Sequence, residues 1–279
     1  MTAQEIVAGL QKIVPEGMIV KSEKVTKDGE EMTGIMVFRS DSQGMAPTVY
    51  LERLPDVTLE LLSDALVKAA EKVPEFDPRE TLLNREYFLQ NVRPVLVNKN
   101  RVNPDVITFD FAGDVAIALE VTVGSGTTKV TDALLNEVQL APALALERAK
   151  RNLKPCVTPF DPFGDRNFGL QNLIGSEEMP DNYNPMLIVS DERLLTLESW
   201  HGAAAILDRR ATETVSRFFG ESFMVLPSSI HEVLCVPRGM MEASELRGMV
   251  SAINSTEVDP QDRLSDNVFI YENGAFRVA

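Results

Sequence analysis

Histidine, cysteine and tryptophan are scarce in this chain, at two, two and one among 279 residues. A closed zinc site of four nitrogen and sulfur ligands would need His201, His231, Cys156 and Cys235 together, and only His231 and Cys235 are close in sequence. Zinc sites usually draw their ligands in close pairs, so neither a metal nor any other cofactor is expected. Two cysteines make no disulfide framework and read as small buried hydrophobes in a reducing compartment. No apolar run reaches the about 18 residues that a bilayer requires. The start, Met1-Thr2-Ala3-Gln4-Glu5, lacks the basic-then-apolar order of a signal peptide. The expectation is a soluble, cytoplasmic protein without membrane contact.

Positive charge is also short, with 27 Lys and Arg against 42 Asp and Glu, a net charge of −15. The deficit is uneven. Residues 1–80 carry nine basic and fifteen acidic side chains, residues 81–155 nine and eight, and residues 156–279 nine and nineteen. Neutralising the phosphate backbone supplies most nucleic-acid affinity, so a nucleic-acid partner is not expected. Only the middle segment has the composition for a local basic patch.

What is present in quantity is apolar: 44% of the residues are hydrophobic, enough for one large or two small domains. Ile6, Val7, Leu10, Ile13 and Val14 have helical spacing that stops at Pro15-Glu16-Gly17. Strands follow at 18–25, 32–38 and 48–51, with Lys27-Asp28-Gly29-Glu30 as the first turn. Thr58 caps an amphipathic helix with Leu61, Leu62, Ala65, Leu66 and Ala69 inside, stopped by Pro74. A helix at 80–92 and strands at 94–97, around Phe109 and Phe111, at 115–123 and at 127–130 precede helices within 132–153. Further on, strands are expected at 186–189, 199–207, 223–226, 230–236 and 268–271, with helices at 209–219 and 242–253. Short links between paired strands favour an α+β fold: mainly antiparallel sheets, helices packed on one face, and repeated strand-strand-helix units. The divisions expected are a helix-meander-helix unit at 1–80, a central α+β unit at 81–157, a long loop or linker at 158–185, and a C-terminal α+β unit at 186–279.

Several segments carry the outline of chemistry. In Pro227-Ser228-Ser229-Ile230-His231-Glu232, His231 and Glu232 open a zinc-protease pattern, but Cys235 stands where the second histidine belongs. Ser229 and His231 point the same way in an extended chain, yet no glycine-flanked elbow exposes the serine. Ser229, His231 and Glu232 are thus the catalytic candidates, against a simpler role as a hairpin connection. Gly124-Ser125-Gly126-Thr127-Thr128-Lys129 has the wrong spacing for a phosphate loop and reads as a turn. Asp105, Asp110 and Glu120 suggest a nuclease-type acidic set, but Thr122 replaces the lysine that such a core wants. The loop from Asp161 to Gly169 reads as linker or lid in preference to a binding loop.

Asn84-Arg85-Glu86 through Asn98-Lys99-Asn100, Val189-Ser190-Asp191, and Gly202-Ala203-Ala204-Ala205-Ile206-Leu207 form part of a family pattern. Its strongest pieces are Leu226-Pro227-Ser228-Ser229-Ile230-His231-Glu232-Val233 and Ala252-Ile253-Asn254-Ser255-Thr256-Glu257-Val258, leading to Leu264-Ser265-Asp266-Asn267-Val268-Phe269. From about residue 48 onward, the chain resembles an uncharacterised bacterial domain-of-unknown-function family common in anaerobic gut bacteria. The resemblance implies no reaction, cofactor or site residue. The leading functional expectation is a non-catalytic protein acting through contacts with a protein partner, as an accessory factor on mobile elements. The alternatives are a hydrolase with a site around His231 and Glu232, and an acidic DNA mimic that inhibits a nucleic-acid-binding protein.

Overall fold

A computed structural model describes residues 2–27, 30–40, 46–54, 57–72, 77–124, 126–160, 172–176, 186–192 and 201–279. The chain divides into two compact units, residues 1–87 and 88–279.

The first unit opens with helix α1 (Ala3–Leu10), whose N-terminus is closed by a reciprocal bond pair between Thr2 and Glu5. Strands β1 (Met18–Lys27), β2 (Glu30–Arg39) and β3 (Thr48–Tyr50) form an antiparallel sheet in that order. Helix α2 (Leu59–Glu71) is capped by the Thr58 hydroxyl, which accepts from the Leu61 amide. Ile6, Leu10, Val20, Ile35, Val37, Leu62 and Leu66 make the core. The apolar face of α2 is narrower than the sequence suggests: Leu62, Ser63, Leu66 and Ala70 are buried, whereas Leu61 is 64% exposed. Spacing by four along the helix selects 62, 66 and 70, and the parallel row of 61, 65 and 69 falls outside it. Helix α3 (Pro78–Leu83) follows, with Asp77 as its cap.

Among the described residues, the second unit holds two antiparallel sheets. Helix α4 (Arg85–Asn91), which spans the division at residue 87, runs directly into β4 (Val92–Asn98). With β5 (Thr108–Ala112), β6 (Val115–Val123) and β7 (Gly126–Lys129), this strand makes a sheet in which β4 lies along one side of β6. β5 and β7 share the other side, pairing with Ala116–Ala118 and Glu120–Val123 respectively. The strands β5 and β6 meet at Gly113, which has a positive φ of 53°; a Cβ there would also lie 2.7 Å from Val278. Helices α5 (Asp132–Glu137) and α6 (Pro142–Arg151) come next.

The larger sheet comprises β8 (Pro155–Pro159), β9 (Leu187–Asp191), β10 (Phe223–Leu226), β11 (Val233–Pro237), β12 (Phe269–Glu272) and β13 (Ala275–Val278), in the order β13-β12-β10-β11-β9-β8. Phe223, Val225, Val233, Cys235, Val189 and Phe269 face a core shared with Leu96 and Ile117 and with helix α7 (Arg209–Phe219) through Ala211 and Val215. Met224, Leu226, Val236 and Ile270 face the other way, onto Leu246 and Val250 of helix α8 (Ala243–Thr256).

The fold is therefore α+β with antiparallel sheets, as expected. Several elements differ, and β13 (Ala275–Val278) lies beyond the last strand expected, at 268–271. Residues Gly202–Leu207 form a short 3-10 helix where a strand was expected, because all of Gly202 to Ile206 are buried and the run offers no periodicity to separate helix from strand. The strand β8 was not anticipated either; it contains Pro155 and Pro159, which a central strand would exclude, but among the described strands β8 is at the edge, where proline is tolerated. The register Val157↔Val189 makes β8 and β9 neighbours, so the two flanks of the 158–185 connection share one sheet. Most of that connection, including Asp161 to Gly169, lies outside the described residues, as do Asp28, Gly29, Pro74, Ser125 and Ser199.

Candidate functional site

The polar centre of the second unit is Glu120, the one charged residue in the apolar run of β6. It is fully buried. Register places it opposite Arg93 on β4 and opposite Lys129 on β7. Directly opposed residues of antiparallel strands share a face, so three adjacent strands present Arg93, Glu120 and Lys129 side by side. Arg93 binds Oε1 through Nε at 2.8 Å and a terminal guanidinium nitrogen at 2.6 Å. Lys129 Nζ lies 2.7 Å from Oε2.

The fourth partner comes from far along the chain. His201 immediately precedes the 3-10 helix, and its Nδ1 sits 2.8 Å from Oε2 and 3.0 Å from Oε1 of Glu120. A carboxylate only accepts, so Nδ1 carries the proton and Nε2 is the ring's other edge. Burial pushes the Glu120 carboxyl upward, but the His201 hydrogen bond and the charges of Lys129, His201 and Arg93 outweigh it and hold the group well below the usual carboxylate range. Arg93 is as buried as its partner, whereas the side chains of Lys129 and His201 are 32% and 22% exposed. The site thus has a closed anionic floor, and Lys129 and His201 form a rim open to solvent.

His231 adjoins this rim. Its ring lies 6.4 Å from that of His201, centre to centre, with the planes 8° apart. The amide of Ala203 donates to the Ile230 carbonyl, which pins the two histidine-bearing segments together. His231 Nε2 is 3.4 Å from Asp262 Oδ2, so the two imidazoles each lean on a carboxylate.

Among the residues anticipated from sequence, His231 therefore reaches the cluster. Ser229 instead accepts a hydrogen bond from the His231 backbone amide, at 3.0 Å, and pairs with Arg263 in an isolated bridge. Glu232 is half-buried just before β11. Asp105 and Asp110 are exposed, and Asp110 pairs loosely with Lys99 at 3.8 Å. Lys129 stands opposite Glu120 and not opposite Thr122, and its ammonium occupies the Glu120 carboxylate. Among the described residues, no group of three or more His, Cys, Asp or Glu side chains converges to hold a metal ion. Burial pushes the Cys156 thiol up to about 11, helped by Glu192 and Asp191, and pushes Cys235 up by burial alone. Neither thiol is a ready nucleophile. One signal could have found Glu120 and Arg93: charges inside apolar strands are rarely buried unpaired. His201 carried no local signal.

An open groove of about 540 Å³ is lined by Lys99, Thr108, Phe109, Asp110 and Ala116. By strand alternation Thr108, Asp110 and Ala116 lie on the same face as Glu120, and Ala116 is about 13 Å from it along β6.

Fold and site together define an antiparallel α+β protein with a buried, charge-clamped glutamate holding a histidine at its surface. The chain belongs to DUF5688, a family of unknown function, whose model matches residues 3–273. No curated protein and no solved structure matches it. Four of the segments that carried the sequence resemblance, around residues 98, 227, 254 and 264, meet in space. Amides of Leu264 and Ser265 donate to carbonyls of Ser228 and Pro227, Asn254 donates to the Ser265 carbonyl, and Asn98 donates to the Leu264 carbonyl. Asp114 accepts from Asn98, Ser265 and Asn267. These residues build the frame that holds the 227–232 connection beside His201.

Proposed function

We propose that the protein is a hydrolase in which His201 acts as the general base. The observation that supports this is the Nδ1 bond from His201 to a carboxylate that Arg93 and Lys129 keep ionised. Such a carboxylate fixes the tautomer and stabilises the imidazolium that forms when Nε2 takes a proton. In the reaction, Nε2 of His201 removes a proton from water as the oxygen adds to the substrate. The same proton passes to the leaving group as its bond breaks, and the ring returns to neutrality. Glu120 makes no proton transfer, because its oxygens are already occupied by donors. His231 lies parallel to the His201 ring and is held by Asp262. The test is a panel of ester, phosphoester, amide and glycoside substrates with the full chain. His201→Ala and Glu120→Gln each lower any activity found by about 10²–10⁴-fold. Unchanged turnover in His201→Ala overturns the proposal.

A second reading, contact with a protein partner, has its own support. On α8, Met249 and Ile253 are 50% and 44% exposed one turn apart, and Met240 nearby is 45% exposed. Loss of a co-purifying partner from a Met249→Glu, Ile253→Glu double variant supports it; identical recovery from both proteins counts against it.

A further inference from the structure

We infer that Lys129 and His201 form a binding site for an oxyanion, the phosphoryl or carboxylate group of a small substrate. This rests on the hydrolase reading only for the word substrate; the binding site stands on geometry. Two permanent cations, Arg93 and Lys129, converge on the single negative charge of Glu120. The cluster carries an excess of one positive charge with His201 neutral and two when it is protonated. The neighbouring imidazole, His231, has a carboxylate of its own in Asp262.

The donors left over point the same way. An ammonium has three N–H bonds. Lys129 gives one to Oε2 of Glu120, which leaves two on a side chain that is one-third exposed. Charge-assisted bonds from lysine suit phosphate and carboxylate oxygens as point-charge contacts. Because the Glu120 oxygens are filled by Arg93, Lys129 and His201, that carboxylate repels an incoming anion less than an unpaired one at the same distance. Anchoring across three strands also holds the Lys129 nitrogen in place before any ligand arrives, so little side-chain freedom remains to be lost.

Scale separates a small anion from a nucleic acid. The excess charge is local, whereas residues 156–279 carry nine basic against nineteen acidic side chains. Screening confines the attraction to about 8–10 Å. One phosphoryl or carboxylate group fits within that radius, and an extended polyanion does not.

The test is a titration of the full chain with inorganic phosphate and, separately, with acetate, at fixed pH and ionic strength. The readout is the ring Cε1 proton signals of the two histidines, assigned with His231→Asn. The expected result is a saturable shift of the His201 signal with at least one anion, and the tighter of the two identifies the substrate's group. Lys129→Met weakens that binding by about tenfold or more, Lys129→Arg restores it, and Lys154→Met on an exposed site leaves it unchanged. The inference is overturned by the absence of a saturable shift with either anion, by equal affinity in Lys129→Met, or by a single-stranded oligonucleotide binding more tightly than both. Anion binding that persists while His201→Ala retains full hydrolytic activity refutes the catalytic reading alone. Activity lost in His201→Ala without anion binding refutes the oxyanion site alone.

Discussion

Glu120 shows how much one buried charge can organise. Removing its charge breaks its buried ion pair with Arg93, and breaking a buried pair in this way costs about 3–5 kcal/mol. Glu120→Gln is expected to lose stability of that order in denaturant titrations at pH 7. The acid limb also changes. A carboxyl held low in the folded state contributes stability that is fully present above its unfolded value of about 4.3 and is lost as pH falls towards the folded value. Below about pH 4.3, wild-type stability should therefore decline more steeply with acid than that of Glu120→Gln, measured by chemical unfolding across that window. Little of this arrangement was legible in the sequence. Glu120 stood out only beside Asp105 and Asp110, Arg93 fell between the helix expected at 80–92 and the strand expected at 94–97, and the link from Glu120 to His201 spans 81 positions and depends on tertiary folding. His231 stands out in the sequence because its neighbours Ser229 and Glu232 have reactive side chains. In the fold, Ser229 serves the local turn.

Among the elements, those with a clear period were readable and those buried all round were not. The strands β1, β2, β6 and β10 and helix α7 lie where alternation or spacing puts them. The 3-10 helix Gly202–Leu207 is enclosed on every side, so its composition reports burial and nothing about hand or pitch. In α2 the number of leucines blurred the phase. Leu62→Ala should cost about 2–5 kcal/mol through a core cavity, while Leu61→Ala, at an exposed position, should stay within about 0.5 kcal/mol. Equal effects in thermal unfolding would mean that the helix is rotated from the phase described. The hairpin β12–β13 ends in Asn273 and Gly274, both with positive φ, as its two-residue turn requires. Gly274→Val should therefore destabilise by about 1–2 kcal/mol, detectable as a lowered unfolding midpoint.

At the scale of the whole molecule, each compact unit has a core of its own. Residues 88–279 expressed alone should fold cooperatively and keep both histidine ring signals at their positions in the full chain. Loss of dispersion in those signals would show that the first unit is needed. The sequence suggested a boundary at 158–185 because prolines, glycines and asparagines cluster there, yet composition does not reveal which strands pair across such a stretch. The pairing of β8 with β9 has a last consequence. Because β8 is an outermost strand, half of its backbone groups face away from β9, and at Val157 they are met by the chain itself: its amide donates to the Asn172 side chain and its carbonyl accepts from the Leu173 amide. Residues 172–173 thus act as a stopper on an open seam, occupying the place that a strand from another molecule would otherwise take. Withdrawing the stopper with Asn172→Ala should convert a self-limiting sheet into one that recruits copies of itself, seen as concentration-dependent association in light scattering.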